Sequence, residues 1–151
     1  MMKSEYESLS HYRCNRSPLV VKNVCKNDRE QEGYKSFSQW YDDENNVYIG
    51  RNAAKYAQRG VYDSKWANPF LCCDWSVAKE EWVLEDLVKS YEKYMRKNPI
   101  LMNSLHELEG KQLGCWCKPG QCHGDVLVKL YVEMYEQPTE KKRKTVFKSL
   151  N

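Results

Sequence analysis

No stretch of this 151-residue chain approaches the roughly 18 consecutive apolar residues that a spanning helix needs. The opening Met1 to Arg13 lacks the apolar core of a secretory leader. A soluble, non-exported protein that does not enter membranes is therefore expected. Neither G-x-G-x-x-G nor G-x-x-x-x-G-K-[ST] occurs, so a dinucleotide fingerprint or a P-loop has no support. C-x-x-C is also absent, which weakens a thiol–disulfide function. With 7 glycines and 5 prolines and no internal repeat, collagen-like and low-complexity architectures are excluded.

What is present suits one compact domain. Apolar residues make up 41% and aromatics 13%, enough to bury a core at this length without disulfides. The net charge of +3 is unevenly placed. Lys141, Lys142, Arg143, Lys144 and Lys148 face only Glu140 in the last 15 residues, which hold +4 and leave the remainder at −1. Composition therefore gives no argument that the body's surface grips nucleic acid. The basic run could be a nuclear localisation signal, a contact for nucleic acid or import machinery, or a solvated terminus. Seven cysteines, an odd number without a leader, point to an intracellular, reducing setting with free or metal-bound thiols.

Along the chain, residues 1–17 read as a polar arm, 18–136 as the domain and 137–151 as a disordered basic tail. Pro18 to Val24, Val47 to Arg51 and Gln112 to Cys117 read as strands. Lys26 to Asn46 reads as a long loop whose Phe37, Trp40 and Tyr41 need burial. Helices are expected over Asn52–Arg59, from a Ser76 cap through a stripe of Val83, Leu84, Leu87, Tyr91, Tyr94 and Met95, from Asn98-Pro99 to Gly110, and from Gly124 or Asp125 onward. Strands separated by helices predict a small α/β fold: a partly parallel sheet of three or more strands with flanking helices.

The densest chemistry is Cys115-Trp-Cys-Lys-Pro-Gly-Gln-Cys-His123. Strand alternation puts Cys115 and Cys117 on one face and Trp116 on the other, and the Pro119-Gly120 turn can return Cys122 and His123 to the strand end. Cys115, Cys117, Cys122 and His123 supply the four soft ligands of a tetrahedral zinc. The spacing is not that of a finger, ribbon or knuckle, and adjacent residues seldom ligate one ion. A three-ligand set of Cys117, Cys122 and His123 is thus an equal alternative, with Cys115 as core. A thiol or phosphate site at a helix N-terminus and a purely structural role complete the readings. Cys72-Cys73 fits core packing, while His11 and His106 fit the surface.

A second constellation is Gly50-Arg51 with Lys65-Trp-Ala-Asn-Pro-Phe70. Arg51 at a strand end could pair with a phosphate or carboxylate. Asn68 could read a base edge or brace a loop, and Trp66 and Phe70 could stack a base or fill the core.

Val47-Tyr-Ile-Gly-Arg51, Ser64-Lys-Trp-Ala-Asn-Pro-Phe70, and Leu113-Gly-Cys-Trp-Cys-Lys-Pro with Cys122-His-Gly-Asp125 together resemble the domain of unknown function 4326 family of bacteria, phages and large DNA viruses. The resemblance spans Leu19 to Tyr135 and implies that Arg51, Trp66, Asn68, Cys117, Cys122, His123 and Asp125 occupy its motif positions. It supplies no activity. This chain departs from the family in a longer segment between the first two strands, in Ala67 where glycine is usual, and in its basic tail.

These residues lead to an intracellular α/β domain with a Cys/His zinc site beside a nucleotide or nucleic-acid-component pocket. In an enzyme of that kind, Asp125 and His123 would be catalytic and Arg51, Trp66 and Asn68 would bind the ligand. The alternative is a noncatalytic binding module whose Cys/His cluster is structural and whose tail or aromatic loop meets nucleic acid or a protein.

Overall fold

The computed structural model describes residues 19–57, 60–70, 81–118 and 120–136. The expected N-terminal arm, Cys72-Cys73, the Ser76 cap and the basic tail lie outside these residues. Three strands, β1 (Val20–Asn23), β2 (Asn46–Tyr48) and β3 (Gln112–Cys115), form one sheet in the order β1-β3-β2. Both pairings are parallel, with Val21 and Val47 each opposite Leu113. The last strand in sequence is therefore the central one. Every connection is long and carries helix, as parallel neighbours require. The expected small α/β fold is the observed one.

The segment expected to be a long loop contains two short helices, α1 (Lys26–Gln31) and α2 (Phe37–Asp42). Ser36 caps α2 by accepting a 3.1 Å hydrogen bond from the Gln39 N–H. One helical turn brings Phe37 and Trp40 onto the same side, and both are buried while Tyr41 stays at the rim. Six-residue helices carry too little periodicity to stand out from a polar background.

Helix α3 (Ala54–Ala57) follows β2. Then α4 (Glu81–Arg96) and α5 (Pro99–Ser104) run into a 3-10 turn (Leu105–Leu108) before β3. Asn98 caps α5 through Leu101 N–H, with proline at the first helical position. Helix α6 (His123–Tyr131) leaves β3 and widens into a π-helical turn over Val132–Glu136.

Side-chain alternation along β3 divides the core in two. Leu113 and Cys115 join Ile49, Tyr91, Met95, Leu105, Leu127 and Leu130 beneath α4–α6. Gly114 faces the opposite side, where Trp40 packs with Val24, Phe37, Tyr48 and Val61. A Cβ on Gly114 would lie 2.0 Å from the Trp40 ring, so only glycine admits the indole over the central strand. No helix among the described residues is long and apolar enough to cross a membrane.

Candidate metal centre

The carboxyl ends of the three strands and the start of α6 meet at one edge of the sheet, where an open parallel sheet presents its ligand-binding groups. Cys115 ends β3, Ile49 follows β2, and Cys122 and His123 begin α6. Ligating atoms of Cys115, Cys122 and His123 all lie within 4.8 Å of one another, and all three residues are buried. This group could hold a metal ion.

The histidine is already oriented. Its Nε2 is 2.8 Å from the Ile49 carbonyl oxygen, which can only accept, so Nε2 carries the proton. Nδ1 is left as the free lone pair, 4.0 Å from Cys115 Sγ and 3.8 Å from Cys122 Sγ. Tetrahedral zinc with ordinary bond lengths separates sulfur from nitrogen by about 3.6 Å, a few tenths of an ångström less than observed. A second ring nitrogen tied to a backbone carbonyl is the usual support of a metal-bound histidine. The Tyr91 ring meets His123 edge-on at 5.0 Å and limits its rotation. Burial pushes the imidazole pKa down against the opposing Ile49 hydrogen bond, which keeps it neutral and able to ligate.

Cys117 lies just beyond β3 and is exposed, yet its thiol is close enough to those of Cys115 and Cys122 for the three to titrate together. The neighbouring thiols of Cys115 first and Cys122 second, with the Arg51 charge adding to them, hold the Cys117 pKa down to about 3. Donating to Cys117 pushes Cys115 up to about 12, and bonds to Cys115 and Cys117 together with burial raise Cys122. The directions of these shifts favour the charge on Cys117, the exposed sulfur of the three. Asn23 at the end of β1 helps to place it, because its amide donates to the Lys118 carbonyl while its oxygen accepts from Cys25 N–H. A 2.9 Å bond from Gly120 N–H to the Cys117 carbonyl closes the turn that follows.

Cys122 has two roles. It is the N-cap of α6, its sulfur accepting from Gly124 N–H at 3.3 Å, and Asp125 completes a reciprocal capping box by accepting from Cys122 N–H at 3.2 Å. The other Asp125 oxygen takes the Lys118 ammonium at 2.6 Å. Residues of the chain itself therefore occupy the helix start that could have received a phosphate. Cβ atoms on Gly124 would approach Ile49 and Val21 to 2.8 and 2.9 Å, so glycine here lets α6 bring its first turn against the sheet.

The other expected ligand residues separate. Arg51 is exposed three residues beyond β2, which ends at Tyr48 rather than at Arg51 as expected, and is near enough to Cys117 and His123 to act on both electrostatically. Trp66 is 2% exposed, with Lys65 over its ring at 4.9 Å and its carbonyl accepting from Tyr91 OH at 2.7 Å. It is a core residue that backs His123 through Tyr91. Asn68 braces its own loop, its oxygen accepting from Phe70 N–H at 2.9 Å.

Sequence reasoning missed three supports: the Ile49 carbonyl, Asn23 and Tyr91. A backbone carbonyl leaves no mark in a sequence. Tyr91 was legible only as one position of an apolar stripe, and Asn23 only as a strand end. The set in mutual reach is Cys115, Cys122 and His123: it holds Cys115, which the three-ligand reading had left to the core, in place of the Cys117 of that reading.

Fold and site define a small parallel α/β domain with a buried Cys/His cluster at the carboxyl edge of its sheet. Residues 33–133 match the family described as Domain of unknown function (DUF4326), and the chain belongs to it. It is 34% identical over 105 residues to an uncharacterized protein of Acanthamoeba polyphaga mimivirus, covering 63% of this chain and 75% of that protein. It is also 30% identical over 56 residues to an uncharacterized 12.4 kDa protein in the nrdA-td intergenic region of Enterobacteria phage T4. That match covers 37% of this chain and 52% of the phage protein. No solved structure matches.

Proposed function

We propose that this domain is a zinc-binding module in which Cys115, Cys122 and His123 hold the ion, Cys117 supplies the fourth ligand, and the site staples β3 to α6. The observation that carries the reading is His123: its Nε2–H is tied to Ile49 and its Nδ1 lone pair faces two thiols. Two or three thiolates with one imidazole form a soft donor set that favours zinc over magnesium or calcium. When bound, the ion joins the end of the central strand to the first turn of the helix behind it. Thiols must stay reduced for this, which fits a reducing intracellular compartment. The Lys141–Lys144 tail would then serve contact with nucleic acid or import machinery.

A noncatalytic role is favoured because both Asp125 oxygens are committed, one to the cap and one to Lys118. The second reading is an enzyme acting on a nucleotide or nucleic-acid component, with an open metal position towards Arg51. It is supported by exposed Arg51, close enough to Cys117 and His123 to act on both electrostatically.

Metal content of tag-free protein purified without chelator tests the proposal, beside a Cys122→Ser, His123→Ala double variant. About one zinc per chain is expected, lost in the double variant; no metal in reduced wild-type protein overturns the reading. Cobalt substitution separates module from enzyme. If Cys117 is the fourth ligand, Cys117→Ser weakens the thiolate-to-metal absorption. An unchanged spectrum shows the position to be open instead.

A further inference from the structure

We propose that Cys117 is an oxidation site, and that a hydroperoxide converts Cys117 and Cys122 to a disulfide across the Lys118–Gln121 turn. Of the three clustered sulfurs, Cys115 and Cys122 are buried, at 3% and 1% exposure, while Cys117 is exposed. Oxidant therefore meets Cys117 first. Cys117 lies two residues beyond Cys115 and five before Cys122, close enough to both for each to act on its thiol. Cys122 is the better-placed partner. The residues between it and Cys117 already turn back on themselves, through the Gly120 N–H bond to the Cys117 carbonyl. Closing onto Cys115 would leave only Trp116 between the two sulfurs, whereas a disulfide needs its Cβ atoms about 3.8 Å apart.

The chemistry balances with the peroxide as the named oxidant. The Cys117 sulfur attacks the terminal peroxide oxygen and the O–O bond breaks. The sulfur becomes a sulfenic acid, and water or an alcohol leaves. Cys122 sulfur then attacks Cys117 sulfur; the S–S bond forms, the S–O bond breaks, and a second water departs with the thiol proton. Two thiols lose two electrons and the peroxide gains them. The disulfide itself depends only on the thiol arrangement. Its consequence, removal of two sulfurs from the metal-holding set, rests on the zinc reading.

The test uses the full chain, reduced, treated with chelator, desalted and exposed to hydrogen peroxide. The expected result is loss of two free thiols, restored by reductant, with peptide mapping placing the bond between Cys117 and Cys122. Cys117→Ser, checked for native circular dichroism, should lose no thiol pair. An unchanged thiol count, a bond mapped to Cys115–Cys122, or the same loss in Cys117→Ser overturns the inference. Metal content before chelation reports on the zinc reading separately, so either can fail alone.

Discussion

At the residue scale, function turns on which groups are already spent. Asp125 has the residue type of a general acid or base, but its carboxylate closes the α6 cap and pairs with Lys118. Asp125→Ala is accordingly expected to cost about 1 kcal/mol in stability, the usual value of a lost cap. Zinc per chain should stay unchanged, and denaturant unfolding with metal analysis on one preparation checks both. Loss of metal would place Asp125 in the site instead.

Protonation supplies a second prediction. Burial depresses His123 below its ordinary 6.5, so below that pH the unfolded chain binds a proton the folded chain refuses. Cys117 is likewise depressed, from 9.0 to about 3, so its contribution is complete above pH 9 and erodes as pH falls. Both terms have the same sign: stability of the metal-free protein should rise from pH 5.5 to 7.5. Urea unfolding at several pH values should show this slope, flatter in Cys117→Ser. A protein equally stable at both ends would refute the assignment.

At the scale of elements, β3 governs the structure. It lies between β1 and β2, gives Leu113 and Cys115 to one core, and gives Gly114 as a bare patch under Trp40 on the other. Gly114→Ala would drive a methyl into the indole, a clash with a rigid ring that no rotamer change relieves. We expect about 3 kcal/mol of destabilisation, the upper part of the range for overpacking. A thermal melt or chevron series measures it, and a near-neutral substitution would mean that α2 can shift off the sheet. The elements most visible in the sequence were those with long periods. The α4 stripe of Tyr91 and Met95 packs as its spacing implied, whereas α1 and α2 were too short to distinguish from a polar loop.

At the scale of the whole molecule, the cluster joins elements far apart in sequence: the end of β2, the end of β3 and the head of α6. An ion held there restrains all three, because its binding free energy adds to folding free energy when the unfolded chain lacks the site. Chelation of the zinc-loaded protein is therefore expected to lower Tm by several degrees. It should also reduce amide-exchange protection first around Gly114–Cys115 and Gly124–Leu127. A Tm indifferent to chelator, with zinc demonstrably removed, would show that the metal does not staple the fold.

The sequence alone determined what local chemistry determines. Short strand-like runs separated by helical periods specified a small, partly parallel α/β domain. The nine residues from Cys115 to His123 concentrated the soft ligands, since four such side chains so close together cannot fail to show. Three matters were decided by tertiary structure. Trp66 and Asn68 adjoin in sequence a residue type that binds ligands, but packing made one a core brace behind Tyr91 and the other a loop clip. Cys115 entered the metal-competent set because the turn returned Cys122 and His123 to its depth in the sheet. His123 was oriented by the Ile49 carbonyl, 74 positions away. Contacts of that kind depend on how strand ends converge across a crossover, and residue spacing holds no record of that convergence.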